Sequence, residues 1–540
     1  MAEEFTSKEK EILSQFCTSI DADCFALINL PEAVKGALFS RYSRSSKSLR
    51  RLLLDEFILN PESGFDAIVG DAKGRGESQI VATKKAEDFY DRVLVGYGDD
   101  SVAELGGAHL ACENISNIAT KAMQDSRIGI SPLEKSTRYV YFDQKENGKY
   151  RYLREERIMG SKFADEYIAA CDLLFSTYAS LIPKLTKIEE ARFQRETEVS
   201  ERAYASTIRA KVCDLLRGLL PASTLTNAGF FGNGRAFEYM LAKLYSSPLS
   251  ELHSIASVSQ SELSKVIPSF VKRANDGHGK ELQRYFSDVR GSVSAASADY
   301  LQKTGAPEEG ASVSLFDFDK DAEDKILFAI LFPSLHCSME KVKEIVEKMP
   351  SAERAKLINA YIGERKNRRQ KPGRAFEAAY CSFCITGNFG MYRDLHRHRI
   401  LTQERQLLTT AHGFDMPNEL IESGFESEVR GAIGAADALF RKMEKEMPYE
   451  AQYVVPLGYR MRWYAKMNLR EAYHFCELRS MRQGHIDYRR VAQQMYALIN
   501  KTHPLLASGM KFVDYGEYGL ERLEAEKKID RKLEQLGKKQ

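Results

Sequence analysis

The sequence has no long apolar run, no excess of charge of either sign and no cysteine framework, and each absence narrows what the chain can be. No apolar run approaches the ~20 residues of a membrane span. The opening "MAEEFTSKEKEILSQF" lacks the layout of a secretory signal, so a soluble cytoplasmic protein with no membrane partner is expected. Lysine and arginine number 78 against 76 aspartates and glutamates, a formal charge of +2. That balance argues against a nucleic-acid partner, whether duplex DNA or an RNA held on a basic patch. The nine cysteines (Cys17, Cys24, Cys112, Cys171, Cys213, Cys337, Cys381, Cys384 and Cys476) are odd in number and irregularly spaced, as in a reducing compartment. Cys381 and Cys384 make one CxxC with no second pair at zinc-site spacing; they read as buried thiols, and no metal is expected. No cysteine stands in a recognisable Cys/His setting, so covalent nucleophilic catalysis is unsupported.

What is present is globular. Hydrophobic residues make up 43% and charged residues 29% of 540, room for several domains. Apolar positions at three and four spacing predict helices in "EEFTSKEKEILSQFC", "SLRRLLLDEFI", "FADEYIAACDLLFSTYASLI", "GRAFEYMLAKLY" and "REAYHFCELRSM". Strands are expected at "RYVYF" (138–142), "KYRYL" (149–153) and "YCSFCITGNF" (380–389), and a loop at "GAPEEGASVS" (305–314). The sequence also repeats itself. Glu104 precedes Arg127 by 23 residues and Glu377 precedes Arg399 by 22. Pro221 precedes Asn233 and Arg235 by 12 and 14, and Pro456 precedes Asn468 and Arg470 by the same 12 and 14. Two ordered coincidences of this kind read as two diverged copies, 1–310 and 311–520, followed by a charged helical tail, 521–540.

The second copy carries "DLHRHRILTQERQ" (394–406), a dense set of cations and imidazoles after an apolar stretch. By itself this is either a solvated basic turn or one wall of an anion site. Arg397-His398-Arg399 here, and Glu134, Ser136, Arg138 and Tyr139 of "EKSTRY" in the first copy, resemble the two parts of the signature motif of the flavin-dependent thymidylate synthases. With Asn468, Arg470, Leu478, Arg479 and His485, the chain resembles a tandem, diverged flavin-dependent thymidylate synthase. The departures are as informative. The first copy has Asp125-Ser126-Arg127 in place of Arg-His-Arg and Asp99 where a histidine is usual, while the second has no Ser-x-Arg in register. Asp394 stands where the family tends to have a glutamine.

The resemblance implies an α+β fold, two copies of a small antiparallel sheet with long helices, and conversion of dUMP to dTMP using FAD, with methylene-tetrahydrofolate and NADPH as co-substrates. It implies nucleotide contacts from Glu134, Ser136, Arg138, Arg217, Arg397 and Arg479, with Arg397, Arg479 and Ser136 at the reaction centre. Flavin contacts would come from Ser101, Glu104, Arg397, His398, Arg399, Ile400, Asn468, Arg470, His474 and His485. Arginine suits phosphate because its planar fork bonds in a bidentate manner and stays charged when buried. Several of these positions have plainer readings: Ser101 and Glu104 as part of a helix start, Asn468 as helix-terminal polarity, His485 as a capping histidine. Trp463 and Tyr464 read as core. The retained residues are complementary: Ser136, Arg138 and Arg217 in the first copy, Arg397 and Arg479 in the second, where Gln452 replaces the arginine before the late proline. A composite site within a homodimeric pseudo-tetramer is expected; the alternative is a non-catalytic flavin or nucleotide binder, a sensor or scaffold.

Overall fold

A computed structural model describes residues 4–43, 45–59, 104–126, 128–301 and 312–537. Ser101, Asp99, Arg127 and most of the 305–314 loop lie outside the described residues. Contacts divide the chain into two compact units that cut across the sequence copies. The first holds residues 1–115, 119–134 and 226–303; the second holds 116–118, 135–225 and 304–540.

The first unit is built on a three-stranded sheet of β1 (Gly107–Ser116), β2 (Ile130–Glu134) and β3 (Leu225–Asn233), with β3 in the centre. Burial alternates along β3, so one face is core and the other is wet. A helix, Gly234–Tyr245, leaves β3 at Asn233, whose side chain accepts from the Ala236 N–H. It buries Phe237, Met240, Leu241 and Leu244, the 3–4 spacing of an amphipathic helix.

The second unit has a four-stranded antiparallel sheet of β4 (Val313–Phe318), β5 (Tyr380–Asn388), β6 (Leu401–Arg405) and β7 (Arg460–Asn468), in the order β4-β5-β7-β6. The arrangement β5-β7-β6 is β1-β3-β2 over again, so the fold is α+β with two copies of one sheet. A duplicated ion pair marks the same equivalence: Arg235–Glu104 at 2.8 Å in one unit and Arg470–Glu377 at 3.5 Å in the other. The helices that matter here are α1 (Ala164–Arg192), α2 (Glu201–Leu216), α3 (Phe389–Leu395), α4 (Leu469–Arg479), α5 (Ile486–Thr502) and α6 (Leu523–Gly537). By length and composition α1 could cross a membrane, but its Tyr167, Leu174, Phe175, Tyr178, Leu181 and Leu185 are buried inside the unit, which makes it a core helix. The charged helix α6 packs on α2, where Arg202 pairs with Glu526 at 3.0 Å. The repeated prolines Pro221 and Pro456 face each other in an antiparallel bridge, flanked by Ala222 N–H to Val455 O and Leu457 N–H to Leu220 O, each 2.9 Å. Equivalent segments of the two copies thus meet about a local two-fold.

Two expected strands are corrected. Residues 138–142 form a turn and irregular chain, because Arg138 is held by side-chain bonds in place of a ladder; of 149–153 only Lys149–Tyr150 is strand, in a short hairpin with Lys145–Glu146. Trp463 is 2% exposed and belongs to the core, whereas Tyr464 points the other way from the same strand at 36%. Cys381 and Cys384, three apart on β5, point to opposite faces, so the pair has no common ligand direction.

Candidate active site

Four short structural decisions bring the arginines together. Helix α2 ends in a tight turn that places Asp214 and Arg217 one above the other, three residues apart. Helix α3 starts at Asn388, whose Oδ1 accepts from the Met391 N–H at 2.8 Å, and its last turn carries Asp394, with Arg397 and His398 just beyond. Helix α4 starts at Asn468, capped on the Glu471 N–H at 2.8 Å, and delivers Arg479 on its last turn. The turn after β2 holds Arg138, whose N–H donates to Ser136 Oγ at 3.2 Å.

Arg138 is buried and makes a two-pronged pair with Asp214 (Nε–Oδ1 2.7 Å, Nη2–Oδ2 2.6 Å) and a third bond to Tyr488 Oη at 2.9 Å. Arg217 Nη1 donates to Asp394 at 3.4 Å, and Arg397 lies 3.6 Å from the other oxygen of that carboxylate. Burial works to raise the Asp394 pKa, but Arg397, Arg217, Arg138 and Arg479 outweigh it and pull the carboxyl down to about 2. Asp214 is held well below its ordinary range in the same way, against its burial, by Arg138, His485 and Arg522. Arginines from both sequence copies therefore converge on Asp394 within one chain. Five guanidinium groups, those of Arg138, Arg217, Arg397, Arg479 and Arg522, act on these two carboxylates, an excess of positive charge that complements a phosphate monoester dianion.

A second cluster adjoins the first. Arg479 Nε donates to His398 Nε2 at 2.8 Å, and His398 Nδ1 lies 2.6 Å from Glu471 Oε1. An imidazole that accepts at Nε2 carries its proton on Nδ1, so His398 is neutral and donates to Glu471. Its ring packs on Phe475 at 4.5 Å and His474 at 5.3 Å. Burial drops His474 to about 4, helped by Lys371, Arg368, Arg479 and Arg470. The ligand atoms of His398, Glu471 and His474 lie within 4.8 Å of one another. Both His398 nitrogens are already hydrogen-bonded, so this is a proton-ordered network more than a metal cage. The cations beside His474 fit an anionic dinucleotide such as FAD.

A cavity of about 760 Å³ opens beside the arginines, within the usual size of a small-ligand site. Arg217 lines it, 4% exposed, with its Nη2 buried and lacking a hydrogen-bond partner. Asn388 also lines it and donates to Asp415 and Asp487 at 2.8 and 2.7 Å.

The remaining expected residues fall in various places. Arg470 donates to Pro372 O at 2.9 Å as well as to Glu377. Arg399 and Ile400 are exposed, Ile400 at 61%. His485 caps α5, accepting from the Asp487 N–H at 3.3 Å, and its Nε2 lies 3.3 Å from Asp214 O, on the arginine side and not beside His474. Glu134 belongs to the first unit, buried against Lys121 at 2.8 Å and Gln124 at 3.3 Å; Glu104 pairs there with Arg235. Gln452 spends its amide on the backbone, accepting from the Leu408 N–H at 3.0 Å. Reasoning from sequence missed Asp214, Glu471, Tyr488, Arg368 and Lys371. The basic run "ERKNRRQK" (364–371) was a usable signal for the last two; the others had none.

Residues 63–269 and 314–505 match the family described as "Thymidylate synthase complementing protein". The chain belongs to this family. It is 46% identical over 525 residues, 97% of this chain and 98% of the relative, to a UPF0159 protein of Chlamydia muridarum, and 45% identical over 526 residues, with the same two shares, to one of Chlamydia pneumoniae. A UPF0159 protein of Thermoplasma acidophilum is 34% identical over 516 residues, 91% of this chain and 97% of that one. Residues 1–62, 270–313 and 506–540 stand outside the family match.

Proposed function

We propose that this chain is a flavin-dependent thymidylate synthase that converts dUMP to dTMP with methylene-tetrahydrofolate and NADPH, at a composite site drawing on both copies. The observation that carries the reading is the convergence of Arg138, Arg217, Arg397 and Arg479 on Asp394, with a net charge suited to a nucleotide phosphate. Arg217 offers its unpartnered Nη2 to that phosphate, and Ser136 orders the turn that presents Arg138. Bound FAD would supply the redox chemistry. His398, Arg399, Ile400, Asn468, Arg470 and His474 would hold it, with Arg368 and Lys371 adding positive charge. Buried thiols take no part as nucleophiles: Cys213, next to Asp214, is pushed up to about 12 by burial. The assembly expected is a homodimer.

The Asp394 carboxylate favours a second reading. It competes for the same arginines, as in a descendant that binds nucleotide without turnover. The deciding experiment is to purify the protein, record its flavin absorbance and assay dTMP formation from dUMP, methylene-tetrahydrofolate and NADPH. Product identifies the enzyme; flavin and dUMP binding without product identifies the binder; neither refutes both readings.

A further inference from the structure

Glu471 is the least comfortable charge in the second cluster. It is 8% exposed, yet its carboxylate sits 2.6 Å from one nitrogen of His398 while the other nitrogen receives Arg479. The three groups form a line, carboxylate to imidazole to guanidinium, in which each hydrogen bond dictates the next. Only an acceptor at Nδ1 leaves Nε2 free to accept from Arg479.

We propose that Glu471 is a positioning residue: by accepting the hydrogen bond from His398 Nδ1–H it fixes the imidazole in the tautomer that receives Arg479 Nε, and so aims the Arg479 guanidinium at the nucleotide. The aim at a nucleotide rests on the function proposed above; the tautomer lock does not. Arg479 Nε is committed to His398, its guanidinium carbon lies 6.0 Å from the centre of the Tyr488 ring, and its charge is felt by Asp394. Phe475 and His474 wall the imidazole ring.

The lock responds to pH. Burial raises Glu471 to about 7, against the pull of Lys371, from the chain ahead of β5, and of Arg470 and Arg479, from its own helix. His474, neutral across this range, adds no charge. Above about 7 the ionised carboxylate accepts from Nδ1. Below it the protonated carboxyl can donate as well as accept, so the Nδ1–H form is no longer enforced; in the other form His398 carries its proton on Nε2, and two N–H groups oppose each other at Arg479. Alignment of Arg479 is therefore kept at higher pH and lost as pH falls through neutrality.

The test uses the full-length protein as purified, with nitrogen-15 histidine labelling to read the His398 tautomer and calorimetry with dUMP. Wild type should show a single Nδ1–H tautomer above neutrality and lose it below. Glu471→Leu should lose that tautomer at all pH values and bind dUMP about tenfold more weakly, as for one lost charge-assisted hydrogen bond. Glu471→Gln, a neutral isostere of the protonated carboxyl with both a donor and an acceptor, should show at every pH the unlocked tautomer mixture that wild type shows only below neutrality. A Glu471→Leu protein that keeps the Nδ1–H tautomer overturns the proposal. If that variant does not fold, a wild-type tautomer unchanged across neutrality overturns it instead. Wild type that binds no dUMP refutes the nucleotide reading, and the tautomer signal still decides the lock.

Discussion

Arg217 and Gln452 occupy equivalent places four residues before the paired prolines, and they show how one side chain separates a working position from a structural one. Arg217 keeps a buried donor unpartnered at the cavity, whereas Gln452 satisfies the local backbone. Arg217→Gln therefore imports the other copy's solution. It should fold, and dUMP affinity should fall about 10- to 100-fold, the worth of a charged hydrogen bond of about 1.5–3 kcal/mol; calorimetry checks this. The alternative Arg138→Ala is a poorer probe, because stranding Asp214 costs about 3–5 kcal/mol of stability. Glu471 makes a separate prediction about stability. Its pKa rises on folding from an ordinary 4.5 to about 7, so the folded state binds the proton more tightly. Its contribution is most favourable below the unfolded value and is lost as pH climbs through the folded value. Glu471→Gln should raise Tm relative to wild type at about pH 8, and the gain should vanish below about pH 4.5. Equal Tm differences at both ends of the range would show that the carboxyl is not perturbed.

Asparagine starts a helix after a strand in both units, and the repetition separates capping from binding. Asn233 and Asn468 occupy the same place, each accepting at 2.8 Å from the N–H three residues on. Either one changed to alanine should cost about 1 kcal/mol, the usual worth of such a cap, measured by denaturant unfolding. If Asn468 also contacts flavin, only Asn468→Ala should lose cofactor absorbance on purification. Matched losses of stability with no change in colour would reduce Asn468 to a cap. The same scale explains why some expected strands failed. "RYVYF" has strand-like residues, but its first member is fixed by Asp214 and Tyr488, and tertiary bonds override propensity. "RMRWYAKMN" forms the central strand β7, with Met461, Trp463, Ala465 and Met467 inward, an alternation present in the sequence but interrupted by charge.

At the scale of the molecule, both walls of the arginine site come from one chain, so the number of sites follows the number of chains. Equilibrium binding should give one dUMP per chain, and two per dimer rather than four. A second equivalent site in each chain would need its own cradle, yet there Gln452 takes the place of Arg217 and no Ser-x-Arg stands in register after Arg399. Four equivalent sites per dimer would overturn the composite reading. Sedimentation of the flavin-loaded protein bears on the dimer: a stable monomer with full activity would refute the homodimer.

The sequence by itself determined the family, the duplication and the complementary distribution of arginines, because those are ordered spacings of chemically distinctive residues and survive without coordinates. It also placed Trp463 and Cys381 in the core, whereas Tyr464 and Cys384, read from the sequence as buried too, are exposed and half-buried. Only the tertiary structure decided which charges meet. Asp214 and Arg138 are 76 positions apart, Glu471 and His398 73, and no local pattern announces such pairs. It also decided that residues 135–225 of the first copy belong to the same compact unit as the second. The physical reason is that a buried charge requires a partner wherever the fold can supply one. Spacing along the chain records the elements, while the partners are chosen by packing between them.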